Sequence, residues 1–456
     1  MPVTKEITHL EQSNVKLMVT VPKEDVRSQY QDILKDFAKN MQIPGFRKGK
    51  VPQDVLERKF GEALREEALG KIIEKAVGEV FEDQTLPKDE KPLPYSQPRM
   101  DEAPKLDFDE DLCFSVIYDV LPNVNIGTWK GLEVEVPDVS VTEDDLMREL
   151  DEVRERNAFV LDRDDNEAAR NSDVVTVNHC ELDDNNEVLP DSERKDFAFT
   201  LGKGNNAYMF DDDIAGMKKG ETREFTKTYP NDDQQPGMFA GLTKKFRVTL
   251  TALKEKKLPD LDDELAQDVD EKFTTLDDLK KSIQERLEKN LEQRIRDLTI
   301  SNVLEKIMEN TPVTLPESMI RVELDGRLRN LARRFGTDVD GIMQMLTRDG
   351  KGLDDIQGQW RPSAEKALHS RLIIETLMDE QGIKADDEDV EREMEKMAAD
   401  YGESVDDIYK RFGEGNSLEY IKEDIRERKI FDIIIAGNTI KKGSRLNYLD
   451  LMANNW

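Results

Sequence analysis

Three features of the chain predict a multidomain α+β protein, with an α+β domain first, a small antiparallel β-sheet domain in the middle and an elongated all-α region last. Val15, Leu17, Val19 and Val21 alternate with polar neighbours, as do Leu112, Phe114, Val116, Tyr118 and Val120, which is the period of half-buried strands. Residues from about 158 to 254 carry short strand-like runs broken by turn signals at Gly202-Lys203-Gly204 and Gly216–Gly220. From Leu258 onward apolar residues recur every three or four positions, the period of amphipathic helices. A chain of 456 residues has room for about three domains.

Residues 1–121 form the first predicted domain. After the strand Val15–Val21, a helix is predicted from Val26, Tyr30, Ile33, Leu34 and Phe37. A second helix begins at Val55, Leu56 and Phe60 and continues through Leu64, Ala68, Ile72, Ala76 and Val80. Between them stands Gly45-Phe46-Arg47-Lys48-Gly49-Lys50-Val51-Pro52, three cations and one aromatic ring among glycines and a proline. Glycine admits φ > 0 and proline fixes φ, so this is a loop held in shape. Cations on such a tip suit phosphates and the ring suits an apolar socket, which fits an RNA-rich surface. A plain solvated turn between helices is the other reading of the same residues. A proline-rich break (Pro87, Pro92, Pro94, Pro98, Pro104) precedes the strand Leu112–Leu121, which is predicted to close the sheet begun by Val15–Val21.

Residues 122–157 are predicted to join two domains through a short strand, Leu132–Val136, and a charged helix, Glu143–Asn157, capped by Thr142. Within 158–254 the strand candidates are Val174–Asn178, Phe197–Leu201, Thr222–Thr228 and Lys245–Leu253. Residues 255–456 are predicted helical: a long stripe from Leu279 to Leu298, a helix opening at Thr314-Leu315-Pro316-Glu317, one starting at Pro362 and stopping at Gly382, then Val390–Tyr401 and Leu418–Ile435. Their narrow apolar stripes point to arms around a cleft. Met319, Met343, Met345, Met378, Met394 and Met397 lie at or beside stripe positions, and as a set they are expected to wall that cleft. Taken singly, each reads as a gap-filling core residue.

Composition excludes several function classes. Lys+Arg 67 against Asp+Glu 99 gives a formal net charge of -32, so any RNA contact has to be a local basic island. Only Cys113 and Cys180 occur, without CxxC spacing, which predicts no disulfide framework and a reducing compartment. The opening MPVTKEITHL lacks a signal-peptide core, and no run approaches the roughly 18 apolar residues of a membrane span. A cytoplasmic protein without membrane attachment is expected. His9, His179 and His369 are far apart, with no HExxH, and no phosphate-binding glycine motif occurs, so neither a metal nor a cofactor is expected.

The stretch GFRKGKVP resembles the ribosome-binding signature of the bacterial trigger factors, and the resemblance covers nearly the whole chain. It implies that Gly45, Phe46, Arg47, Lys48, Gly49 and Lys50 form a ribosome-binding loop, with Phe46, Arg47 and Lys48 touching protein and RNA at the rim of the exit tunnel. It further implies an FKBP-like peptidyl-prolyl isomerase domain over 158–254 and a helical chaperone domain over 255–456 that binds nascent and unfolded polypeptides without ATP. A homodimer off the ribosome is a family expectation too.

The FKBP-like resemblance rests on Asp196-Phe197, Leu201–Gly204, Phe210, Ile214-Ala215-Gly216-Met217 and Phe246, and it implies that Phe197, Phe210 and Phe246 line the prolyl pocket. Three departures stand out. The family's proline-glycine before the pocket aromatic is Tyr208-Met209; a strand that usually offers an acidic residue and an aromatic before Thr-Gly reads Asn178-His179-Cys180-Glu181; and a further aromatic–acidic pair is Val188-Leu189. Two readings of this domain therefore stay open, a working isomerase and a structural or substrate-holding remnant. For the chain as a whole, a free prolyl isomerase and a scaffold acting on folded partners are the rivals of the chaperone reading.

Overall fold

The computed structural model describes residues 3–11, 13–40, 52–102, 104–164, 166–183, 185–204, 206, 208–229, 239, 241–348, 352–413 and 415–453. In chain order the elements begin with β1 (Thr4–His9), β2 (Asn14–Val21), α1 (Lys23–Asn40), α2 (Gln53–Phe81), β3 (Arg99–Met100), β4 (Leu112–Asp119) and β5 (Glu133–Asp138). There follow α3 (Glu143–Arg156), β6 (Phe159–Asp162), β7 (Val174–Leu182), β8 (Arg194–Thr200), α4 (Asp211–Ile214), β9 (Thr222–Thr228) and β10 (Thr243–Lys257). The remainder is α5 (Asp263–Val269), α6 (Leu276–Glu309), α7 (Glu317–Arg334), α8 (Val339–Arg348), α9 (Leu353–Glu380), α10 (Asp387–Tyr401), α11 (Val405–Phe412), α12 (Gly415–Ala436), β11 (Thr439–Arg445) and α13 (Tyr448–Ala453). Two compact units result: Met1–Val136 with Asp297–Lys442, and Pro137–Arg296 with Gly443–Trp456.

In the first unit a four-stranded sheet has the order β1-β2-β4-β3. The expected closure is present, with β2 and β4 antiparallel from Asn14↔Asp119 to Val21↔Leu112. Val15, Leu17, Val19 and Val21 are fully buried and pack with Phe114, Val116 and Tyr118 against Ile72, Ala76 and Val80 of α2. The Tyr118 hydroxyl donates to the Glu90 carbonyl at 2.9 Å, tying the proline-rich segment to the sheet. Helical residues of this unit build a second core, in which Val303, Ile307, Ala364, Ile373, Leu377, Ile430 and Ile434 are fully buried.

Two expectations for these helices need correction. Pro362 does not start a helix: α9 begins at Leu353 and runs through it. The buried stripe Ile356, Ala364, Leu368 and Leu372 carries the helix past the one backbone donor that proline lacks. Nor do the six methionines form one cleft wall. Met319, Met378 and Met394 are buried core residues, Met343 and Met397 are half-buried against small satellite clusters, and Met345 is 50% exposed. An unbranched side chain fills gaps between helices as readily as it meets clients, and here packing wins at three of the six positions.

In the second unit β10 is the spine of a five-stranded antiparallel sheet, paired with β7 along one edge and with β9 and β6 along the other; β8 lies outside β7. The predicted cap of α3 is present as a capping box, with the Asp145 amide donating to Thr142 Oγ1 and the Thr142 amide donating to Asp145 Oδ2 at 3.0 Å. Leu150 and Val153 of α3 pack with Leu265, Leu279, Ile283, Leu287 and Tyr448 in a core separate from that of the sheet.

Candidate functional site

The inward positions of β7 are Val175, Val177 and His179, and those of β10 are Phe246, Val248 and Leu250. His179 stands opposite Val248 on one side and Arg194 on the other. Phe197 comes from β8, and Tyr208 and Phe210 come from the segment leading into α4. That segment is clamped by Asn206 and Asp211. Asn206 Nδ2 and the Gly202 amide each donate to the Asp211 carboxylate at 2.6 Å, and the Phe210 amide donates to Asn206 Oδ1 at 3.0 Å. The Tyr229 hydroxyl adds a bond to the Tyr208 carbonyl at 3.0 Å. Just before β7, Arg163 grips Asp173 through two bonds of 2.9 Å, fixing the entry to that strand.

These supports gather an aromatic cage. Phe210 and Phe246 meet edge to face at 5.0 Å between centroids. His179 lies 5.7 Å from Phe197, 5.3 Å from Phe210 and 6.4 Å from Phe246. The expected trio is thus brought to one place, with Phe210 and Phe246 fully buried and Phe197 half-buried. Sequence reading missed the ring at the centre. Tyr208 lies 4.3 Å from His179, 5.5 Å from Phe197 and 6.0 Å from Phe246, and it stacks on Phe210 at 5.1 Å and Phe239 at 5.5 Å. It is half-buried, so the chain's own phenol closes the cage. The signal that could have found it is the aromatic pair Tyr208–Phe210, two residues apart; the family pattern shows Tyr208-Met209 only as a departure from its proline-glycine.

His179 is 3% exposed, and among the described residues neither of its ring nitrogens has a hydrogen-bond partner. Burial is the main force holding its pKa below the ordinary value, helped by the Arg194 charge and opposed by Glu181. Tyr229 is pushed up to about 12, chiefly by burial. Glu181 is held by Lys244, whose ammonium lies 4.6 Å above the Phe239 ring. Among the described residues the cage is built from Phe197, Tyr208, Phe210, Phe246 and His179, none of them a nucleophile with an adjacent base. Its chemistry is apolar enclosure of a ring, with one neutral imidazole inside.

The loop residues Gly45, Phe46, Arg47, Lys48, Gly49 and Lys50 lie outside the described residues, and α1 and α2 flank them as expected. Among the described residues no group of three or more His, Cys, Asp or Glu could hold a metal ion, and no helix is long and apolar enough to cross a membrane.

Comparison with known proteins accounts for this arrangement. Residues 3–153 match the model of the bacterial trigger factor protein, 165–250 the FKBP-type peptidyl-prolyl cis-trans isomerase model and 275–436 the trigger factor C-terminus. The trigger factor of Treponema denticola is 40% identical over 448 residues, 98% of this chain and 99% of that one. The chain belongs to the trigger factor family. The trigger factor of Treponema pallidum (strain Nichols) is 36% identical over 452 residues, 99% of each chain. A solved trigger factor chaperone, described for promiscuous substrate recognition in folding and assembly, shares the fold with a TM-score of 0.50 at 22% identity, over 94% of this chain and 99% of that one. As a trigger factor the protein is a ribosome-associated chaperone with an FKBP-type domain, and the cage lies within that domain.

Proposed function

We propose that this trigger factor docks at the ribosomal exit tunnel through Gly45–Lys50, shields emerging chains with its helical region and isomerises Xaa-Pro bonds slowly in the aromatic cage. In this reading residues 1–121 dock, 122–157 join the domains, 158–254 isomerise and 255–456 hold the client, all in the cytoplasm. Shielding needs no nucleotide: weak, distributed contacts release a client once folding buries its apolar surface more favourably.

The observation that carries the isomerase part is the convergence of Phe197, Phe210 and Phe246 around Tyr208 and His179. An apolar box of rings excludes water and favours a twisted amide over the planar one, whose uncatalysed barrier is about 18–20 kcal/mol. A prolyl ring enters where the Tyr208 ring sits, so each turnover first has to displace that ring. Slow catalysis follows.

Docking is tested by co-sedimentation with bacterial ribosomes, comparing the native chain with a Phe46→Ala, Arg47→Ala, Lys48→Ala variant. Native protein in the pellet and the variant in the supernatant is the expected result. If neither pellets at low salt, where phosphate contacts are strongest, the docking role fails. Pairing of two copies off the ribosome belongs to the same reading, and sedimentation velocity of the free protein at rising concentration checks it.

A further inference from the structure

We propose that His179 is a catalytic hydrogen-bond donor of the isomerase cage, its imidazole N–H meeting the prolyl nitrogen as the peptide bond twists. The inference rests on the cage being the prolyl site. Its starting point is an anomaly of the core. A neutral imidazole carries one donor and one acceptor. His179 is almost fully enclosed, and among the described residues both groups go unanswered. A phenylalanine there would fill a box of rings with no polar group left over, so the imidazole weakens the folded state.

That unanswered donor has a use at one moment of the reaction. In a planar peptide the nitrogen lone pair is delocalised into the carbonyl and accepts no hydrogen bond. Rotation about the C–N bond ends the delocalisation, the lone pair localises on nitrogen, and the nitrogen becomes an acceptor. A fixed donor beside it then stabilises the twisted state and leaves the planar one untouched, which is the condition for raising kcat. No covalent bond forms or breaks, and the proton stays on the imidazole. The geometry fits. Tyr208, the ring that a prolyl residue would replace, is also the ring nearest His179, at 4.3 Å.

The surroundings favour the neutral imidazole, which carries a single N–H. Arg194 acts on it from β8 and Glu181 from its own strand, while β10 presents Val248 at the paired position. Among the described residues the Tyr208 and Tyr229 phenols and the Cys180 thiol lie close by as well, and Phe197, Phe210 and Phe246 complete the wall.

The test uses the full chain and a protease-free assay on an Xaa-Pro peptide, with His179→Gln, His179→Met and His179→Phe beside the native protein. Gln and Met are close in size and differ in the amide donor. Loss of the donor in Met and Phe should lower kcat about tenfold, with KM changing less than twofold. Gln should stay within about threefold of the native kcat. A structural role predicts the reverse pattern, since Met and Phe suit an apolar box better than Gln. Each variant's melting transition is followed, and Gln against Met carries the comparison if Phe does not fit. Equal kcat in Gln and Met, or a loss confined to KM, overturns the proposal. A native chain with no turnover, and no change of its aromatic-ring resonances on adding the peptide, overturns the site reading itself, a result distinct from a native chain that turns over as fast as its His179→Met variant.

Discussion

Replacing Tyr208 by alanine removes the ring at the centre of the cage and leaves the loop that carries it in place. The clamp of Asn206 and Asp211 does not involve the phenol, and the bond from the Tyr229 hydroxyl ends on the Tyr208 backbone carbonyl, which alanine keeps. What is lost is stacking on Phe210 and Phe239 and the edge contacts to His179, Phe197 and Phe246. Aromatic pairs contribute about 0.5–1.5 kcal/mol each, so the two stacked pairs hold the ring in the cage by about 1–3 kcal/mol. An incoming prolyl ring has to overcome that hold, and 1.4 kcal/mol corresponds to about a factor of ten. Tyr208→Ala is therefore expected to raise kcat/KM for an Xaa-Pro peptide about tenfold while lowering the stability of the FKBP-type domain by about 2 kcal/mol. Tyr208→Phe keeps the ring and should behave like the native protein. The assay has to be protease-free, because a coupled protease digests a destabilised variant through its transiently open form. A folded Tyr208→Ala chain with unchanged or lower kcat/KM refutes the displacement argument.

Three further outcomes follow from the packing. Arg163→Met leaves the Asp173 carboxylate buried without its bidentate partner and should destabilise the second unit by about 3 kcal/mol in urea titrations, with part of the loss recovered in the Arg163→Met, Asp173→Asn double variant. Met394→Ala, at a fully buried position, should cost about 2–5 kcal/mol, whereas Met345→Ala should stay within about 0.5 kcal/mol. His179 gives the FKBP-type domain an acid sensitivity. Its folded pKa is lowered, so above the ordinary value near 6.5 both states are neutral; as pH falls below that value the unfolded chain takes up a proton before the folded one, and stability is lost. Urea midpoints at pH 7.5 and 5.5 should therefore differ more in the native protein than in His179→Phe.

The parts of the fold that were legible are those where burial imposes a period. Strands β2 and β4 each keep one face in the core, and their alternation marks both strands and their pairing. The bounds Thr222–Thr228 of β9 follow from the turn residues around it. Strands β6 and β11 left no such trace. Phe159, Val160 and Leu161 are consecutive and all exposed, and Thr439–Arg445 is polar and exposed along nearly its whole length, so neither carries a period to read. Pro362 misled for a related reason. Proline is a strong local signal for a helix start, but Ile356, Ala364 and Leu368 keep helical spacing across it, and packing outweighs one missing hydrogen bond.

The candidate site divides in the same way. Family resemblance located Phe197, Phe210 and Phe246, and the sheet register that sets their neighbours explains why they meet: His179 and Val248 are paired across β7 and β10, and Phe246 lies two residues before Val248 on the same face. Tyr208 could not be placed by periodicity, because its position depends on a loop closed by Asn206 and Asp211 over five residues of sequence. Once that closure is known, two of the three departures have a place in the cage, Tyr208 at its centre and His179 beside it, while Val188 and Leu189 are exposed. Loss of a pocket would leave the imidazole answered by a neighbour or replaced by an apolar residue, and the cage collapsed. Here the rings stay gathered around a stacked phenol, and a shielded imidazole without a partner among the described residues lies 4.3 Å from that phenol's ring. On the proposed reading both features would act on the same ring position, one against entry of a proline and one in favour of twisting it after entry. Paired measurements at Tyr208 and His179 therefore separate an isomerase slowed at its entrance from a remnant that has no donor to offer.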